Sequence, residues 1–114
     1  AGDISSGLWN PALTGWNNTG TVSTSGAWTK SNGVVSVEAT IQSSGGTVSC
    51  VNGNASVGPL PFAPTGDGYG AATVDGSTAI YFGGASVFNN SLWPATVAAT
   101  THKVVISATY PTSE

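Results

Sequence analysis

The segment Trp28–Gln42 reads Trp-Thr-Lys-Ser-Asn-Gly-Val-Val-Ser-Val-Glu-Ala-Thr-Ile-Gln. From Val35 onward, apolar residues alternate with polar ones, which is the two-residue period of a strand with one buried face. A helix would need apolar residues three and four apart, and Glu38 would then fall inside its apolar stripe. The segment therefore predicts a central β-strand whose inward side chains are Val35, Val37, Ala39 and Ile41.

A tight turn precedes this strand. Asn32-Gly33 tolerates the positive φ values of a type I′ turn, whose twist matches that of the flanking strands. We therefore predict a hairpin with arms Gly26–Lys30 and Gly33–Gln42. The first arm belongs to a longer strand, Thr21–Lys30, which we expect to be broken near Ser25-Gly26 by a bulge or bend.

The remaining sequence predicts an all-β chain. The whole chain contains 16 Gly and 6 Pro, and turn-forming residues recur about every ten residues, as in sandwiches and jelly rolls. The last strand, His102–Tyr110, alternates so that Val104, Ile106, Ala108 and Tyr110 point inward. We predict an antiparallel β-sandwich or jelly roll of about eight to nine short strands. Residues 8–112 form the single domain, and residues 1–7 form a lead-in or the end of a linker.

The charge of the chain restricts its partners. Charged residues make up 6% of the sequence and the net charge is −3, with Lys30 and Lys103 as the only Lys or Arg residues. Nucleic acids require a basic patch that neutralises phosphates, so no nucleic-acid partner is expected. No apolar run approaches the ~20 residues of a membrane helix. The first residues lack the pattern of a signal peptide, and the alternative that the chain is a fragment of a longer protein stays open.

No catalytic or metal-binding set is expected. A glycosidase needs two facing carboxylates, whereas Glu38 lies in the middle of a strand and Asp67 and Asp75 lie in turns. His102 is the only histidine and Cys50 the only cysteine, so a zinc site within one subunit and an internal disulfide are not expected. Cys50 is interpreted as a buried thiol that packs as a small apolar residue. We predict a protein that is not an enzyme and has no cofactor.

Several motifs together resemble a known family. They are, in order, Trp28-Thr29-Lys30 with the strand Val34–Ile41, the Leu-Pro-Phe of Leu60–Phe62, the Gly-Ala strand Gly70–Val74, and the Tyr-Pro-Thr of Tyr110–Thr112. Their order and spacing resemble the C-terminal head or knob domains of bacteriophage tail fibres, tailspikes and tail needles. The resemblance spans Trp9 to Thr112, and Trp28 departs from it because that family more often has Tyr there.

The resemblance implies a jelly roll of the tumour-necrosis-factor or C1q type that forms a homotrimer. Such domains hold three chains in register, contact the host surface, or do both. The expected partners are two copies of the same chain and a host surface polysaccharide or outer-membrane receptor. The expected location is the host-facing tip of the virion tail, after synthesis in the bacterial cytoplasm. The low charge is consistent with self-association, because neutral faces can pack together.

Sugar binding is the recognition chemistry that the loops favour. Aromatic faces stack on sugar C–H groups, and amide or carboxylate groups bind the hydroxyls. The residue types that supply this mixture are Asn89, Asn90, Trp93, Asp67 and Tyr69. Large aromatic residues more often pack in a core or an interface, and we expect that role for Trp9, Trp16, Trp28, Leu60, Phe62 and Tyr110.

Three functional hypotheses follow. The first is a trimeric head domain that attaches to a host glycan or receptor. The second is a structural clamp that trimerises and stabilises a longer tailspike whose enzyme domain lies upstream. The third is a stand-alone carbohydrate-binding module.

Overall fold

A computed structural model describes residues 4–51, 54–74, 78–81, 87–88, 90–93, 96–97 and 101–113. These residues form twelve β-strands and no helix, which confirms the predicted all-β class. The strands are β1 (Ile4–Trp9), β2 (Ala12–Thr14), β3 (Asn17–Asn18), β4 (Thr21–Ser31), β5 (Val34–Ser44), β6 (Val48–Ser49), β7 (Ser56–Gly58), β8 (Tyr69–Val74), β9 (Thr78–Tyr81), β10 (Val87–Phe88), β11 (Ser91–Leu92) and β12 (Lys103–Pro111).

A six-stranded antiparallel sheet dominates the molecule, in the order β1-β4-β5-β12-β8-β9. Its centre is the pair β5 and β12, which aligns nine consecutive residues from Val34↔Pro111 to Gln42↔Lys103. Strand β4 pairs with β5 over eleven positions, and all six residues of β1 pair with β4. The strand predicted to be central therefore occupies the centre of the larger sheet.

A smaller sheet, β10-β11-β7-β2, supplies the second layer of the sandwich, and β3 and β6 form a separate pair. The core contains the inward residues of the large sheet together with Val57 and Leu92 of the small one. Val35, Ala39, Ile41, Val104 and Ile106 have no measurable exposure. The inward positions predicted from the alternation are therefore confirmed, since Val37, Ala108 and Tyr110 are buried as well.

The turn between β4 and β5 has the backbone conformation that its sequence predicts. Asn32 has φ of 55° and Gly33 has φ of 74°, which are the two positive angles of a type I′ turn. Residue pairing on both sides of the turn starts at Ser31↔Val34. The hairpin is confirmed, and its arms are longer than predicted.

The prediction of a bulge or bend near Ser25-Gly26 is wrong. Strand β4 pairs with β5 residue by residue through this region, with Ser25 opposite Thr40 and Gly26 opposite Ala39. Glycine is present at position 26 for another reason, which is the close approach of the Trp9 indole.

The N-terminal boundary also differs from the expectation. Strand β1 begins at Ile4, so the segment assigned to a lead-in, residues 1–7, includes four residues of a strand. The sequence of β1 does not show the usual alternation of an apolar inward face. Two of its inward positions are occupied by Ser5 and Gly7.

Candidate binding surface

The six-stranded sheet turns one face toward the core and the other outward, and we call the second the outer face. On the central strands its exposed side chains are small or hydroxylated, apart from Val34, Gln42, one acid and one base. They are Thr21, Ser23, Ser25, Ala27 and Thr29 of β4, Val34, Ser36, Glu38, Gln42 and Ser44 of β5, and Lys103, Ser107 and Thr109 of β12. Strand alternation explains this composition, since every second residue of each strand is excluded from the core.

A shallow groove of about 640 Å³ crosses the middle of the outer face. It passes over β4, β5, β12 and β8, and it follows two adjacent rows of the strand pairing. Small side chains leave the backbone accessible between the rows, which creates the depression. The rows are Ala27, Glu38, Ser107 and Ala71 in one line and Thr29, Ser36 and Thr109 in the next.

The groove offers polar groups of two kinds. Ser36 and Thr109 share a hydrogen bond of 3.3 Å between their side-chain oxygens across β5 and β12. Glu38 lies in the neighbouring row and is exposed. Hydroxyl and carboxylate oxygens can bind a hydroxylated ligand or a second polar protein surface. Sequence reasoning placed Glu38 on an outward face but missed the groove, because the neighbours of Glu38 come from residues that are far away in the chain.

The residues predicted to bind sugar belong to elements of different sheets. Asp67 is exposed and precedes Tyr69, the first residue of β8 in the large sheet. Asn90 and Trp93 flank β11 of the small sheet and are half-buried. The Oδ1 atom of Asn90 is buried without a hydrogen-bond partner. Asn89 lies outside the described residues, so the sugar-binding role of this set stays a prediction.

The aromatic residues assigned to the core or an interface lie in or against the core. Trp9 and Tyr110 are buried, and Trp16, Trp28 and Phe62 are partly buried and pack against the core cluster. The Trp16 indole N–H donates a hydrogen bond of 3.1 Å to the carbonyl of Ser56 in β7. Trp16 therefore connects the segment after β2 to the small sheet.

Leu60 and Phe62 close one end of the sandwich. Leu60 is buried, and the Phe62 ring meets the Trp28 ring edge to face at 4.8 Å between centroids. The Lys30 ammonium lies 4.6 Å from the Phe62 centroid, within the range of a cation–π contact. Phe62 is thus contacted by a second aromatic ring and by a cation.

The described residues show no arrangement for metal or thiol chemistry. They include no group of three or more His, Cys, Asp or Glu residues that could hold a metal ion. Cys50 is buried and is not part of a disulfide, and burial raises the pKa of its thiol, although the backbone hydrogen bond at Val97 acts in the opposite direction. A raised pKa disfavours the thiolate, which is the reactive form. His102 is exposed, and its Nδ1 lies 2.9 Å from the carbonyl oxygen of Gly46.

Across the parts of the chain that the structure describes, no helix has the length and apolar character needed to cross a membrane. No protein-family model matches the sequence, and no match is found among curated proteins or solved structures.

Proposed function

We propose that this chain is a non-enzymatic head domain of a phage tail fibre or tailspike that forms a homotrimer and attaches to a host surface glycan or receptor. Its place is the host-facing tip of the virion tail. The proposal rests on the motif resemblance in the sequence and is supported by the antiparallel sandwich.

The observation that carries the proposal is the composition of the outer face. On its three central strands, the exposed positions include a single acid, Glu38, and a single base, Lys103. Packing such a face against two further copies would desolvate few charges, and burying an unpaired charge is costly. The small side chains also allow close approach, since most of them are Ser, Thr or Ala.

Attachment is assigned to residues that lie outside the β-strands. Asp67 is exposed, and Trp93 offers an aromatic ring at a half-buried position. Loops that are held by a rigid sandwich commonly carry binding residues. A trimer would present three copies of each loop, so weak individual contacts would add through multivalency.

The trimer can be tested by light scattering on the wild type and two arginine variants. At low protein concentration, the wild type is expected to have three times the 11.2 kDa mass of the chain. Ser107→Arg places a bulky charge at the centre of the outer face and is expected to give monomers. Ser113→Arg is the matched control, because Ser113 is exposed beyond the end of β12. Equal masses for the two variants, or a monomeric wild type, would contradict the proposed interface.

Glycan attachment needs its own measurement, namely binding of the trimer to glycan arrays and to host cells. Trp93→Ala should abolish the signal, and Asp67→Asn should weaken it by removing a carboxylate from an exposed position. Unchanged binding by an intact Trp93→Ala trimer would remove the loop from the proposal.

The structural clamp is a second candidate. It is favoured by the buried Oδ1 atom of Asn90, which is not presented to solvent. A trimeric wild type that binds neither cells nor glycans would support the clamp. A monomer that binds glycan would instead support the stand-alone carbohydrate-binding module.

A further inference from the structure

Strand β1 is one edge of the six-stranded sheet. It pairs with β4 from Ile4↔Ser31 to Trp9↔Gly26, and the described residues place no strand on its other side. An edge strand has backbone N–H and C=O groups that point away from the sheet and can pair with another strand.

The strand lacks the usual protection of an edge. Its sequence, Ile-Ser-Ser-Gly-Leu-Trp, contains no charged residue and no proline. Its pairing with β4 advances one residue at a time, so no bulge twists the edge away. Charges, prolines and bulges are the devices by which natural sheets avoid edge-to-edge association. Over the length of β1 none of them is present.

The same strand carries the two most exposed large hydrophobic residues among those described. Leu8 is 85% exposed and Ile4 is 78% exposed. They are four residues apart, so both project on the outer face, with Ser6 between them. This edge therefore combines unpaired backbone groups with exposed apolar side chains, and both are features that a partner strand would cover.

We propose that β1 pairs with β1 of a second copy of this chain, antiparallel and about a two-fold axis at Ser6. In this register Ile4 lies opposite Leu8 of the second copy, and Leu8 lies opposite its Ile4. Directly opposed residues of antiparallel strands have Cβ atoms about 4.5–5.5 Å apart, so both hydrophobic pairs are in contact. The interface is isologous, because each copy contributes the same strand.

The arrangement of the hydrophobic residues selects a second copy as the partner. Ile4 and Leu8 are placed symmetrically around Ser6, so the strand is complementary to itself in this one register. Moving the axis to Ser5 or Gly7 would place Leu8 or Ile4 opposite a residue outside β1. An axis perpendicular to the sheet also keeps both outer faces on the same side, and the two sheets become continuous.

This contact is additional to the proposed three-fold packing. It uses the backbone edge of the sheet, whereas the trimer uses the outer face of the central strands. A six-residue edge is small compared with a standard interface of about 1,600 Å². We therefore expect an association in the micromolar to millimolar range that doubles whichever species the outer face forms.

Disulfide trapping on the full 114-residue chain tests the register. Ser6→Cys places two thiols at the axis, where Cα atoms of opposed residues are about 4.5–5.5 Å apart and a disulfide can form. Ser5→Cys is the matched control on the same exposed strand. In the proposed register, residue 5 of one copy is offset by two residues from residue 5 of the other, so their Cα atoms are farther apart than the ~7 Å that a disulfide can span. Cys50 is buried, so the wild type serves as the blank.

The expected result is a covalent dimer for Ser6→Cys under mild oxidation and little for Ser5→Cys. Equal cross-linking by the two variants would overturn the register. In light scattering at high concentration, Leu8→Lys should reduce the mass of the wild-type species by about half, since a lysine on an edge opposes pairing. Val51→Lys is the control, because Val51 is an exposed apolar residue outside β1. The same mass for both lysine variants and the wild type would overturn the contact itself.

Discussion

Two tryptophan–glycine contacts join β1 to β4. Trp9 is paired with Gly26, and Trp28 is paired with Gly7, so each indole faces a glycine of the other strand. A Cβ atom at Gly26 would lie 2.5 Å from Trp9 Nε1, and one at Gly7 would lie 2.7 Å from the Trp28 ring. Both glycines are therefore required by packing, and neither contact uses a glycine-specific backbone angle.

We predict that Gly26→Ala destabilises the fold by about 1–3 kcal/mol, because the new methyl group must displace a buried indole. The Trp9 N–H, which points to the carbonyls of Ala27 at 3.2 Å and Glu38 at 3.3 Å, would be displaced with it. Urea unfolding measures the loss. Ser25→Ala is the control on the exposed side of the same strand, and equal stability of the two variants would contradict the close contact.

The buried thiol of Cys50 makes stability depend on alkaline pH. Its pKa is raised by burial, so the folded state holds the thiol proton more tightly than the unfolded state. The resulting stabilisation is complete below the pKa of a free thiol, about 8.5, and it is lost as the pH rises through the pKa of the folded state. Unfolding free energies measured between neutral and alkaline pH should fall less steeply for Cys50→Ala than for the wild type. Parallel curves would contradict the buried, protonated thiol.

At the scale of elements, one end of the sandwich is closed by a clasp between β12 and the segment around Phe62. The Tyr110 hydroxyl donates a hydrogen bond of 2.8 Å to the carbonyl of Phe62 and lies 3.3 Å from its N–H. The Thr112 hydroxyl donates to the carbonyl of Ala63 at 2.8 Å. The proline-rich segment forms no named strand, and its one β-bridge among the described residues joins Pro64 to Thr112. These side chains at and just beyond the end of β12 hold the rest of the segment.

Tyr110→Phe tests this clasp. Removing the hydroxyl leaves the carbonyl and N–H of Phe62 without this partner, at an expected cost of about 1–3 kcal/mol. Amide exchange at Phe62 should accelerate along with the loss of stability. Ser36→Ala also removes one hydroxyl–oxygen contact, but on the exposed face, and should change stability by less than about 0.5 kcal/mol. A similar small effect for both would show that the clasp contributes little.

The elements that sequence reasoning predicted well are those defined by nearby residues. Asn32-Gly33 and the alternation of β5 are local signals, and so is the inward set of β12. The prediction of a bulge at Gly26 failed because glycine is required there by Trp9, which lies in another strand. The order β1-β4-β5-β12-β8-β9 was likewise beyond local patterns, since it joins strands from both ends of the chain.

At the scale of the whole molecule, the candidate surface was only partly predictable. The outward position of Glu38 follows from the alternation, but its neighbour Ser107 is brought beside it by pairing between β5 and β12. The groove arises from that pairing and from the small residues around it. Exposure of Leu8 was also not predictable, because it depends on the pairing of β1 with β4, which places Leu8 beside Ala27 on the outer face.

The low charge of the molecule also affects how its assembly should respond to salt. Ion pairs at an interface weaken as ionic strength rises, and the outer face has few charges to screen. The trimer expected in the light-scattering test should therefore keep its mass from low to high sodium chloride concentration. A trimer that dissociates in salt would indicate an interface built on other, charged residues.

The attachment of β1 has a mechanical consequence. A force that pulls on Ile4 across the sheet opens the β1–β4 ladder one pair at a time, and the indole of Trp9 is reached last. Trp9 is buried and its indole N–H contacts carbonyls of both β4 and β5. The force needed to separate β1 from β4 should therefore be small at Ile4 and rise when the separation reaches Trp9. A domain pulled from this end would yield a short length of chain before its core is disturbed.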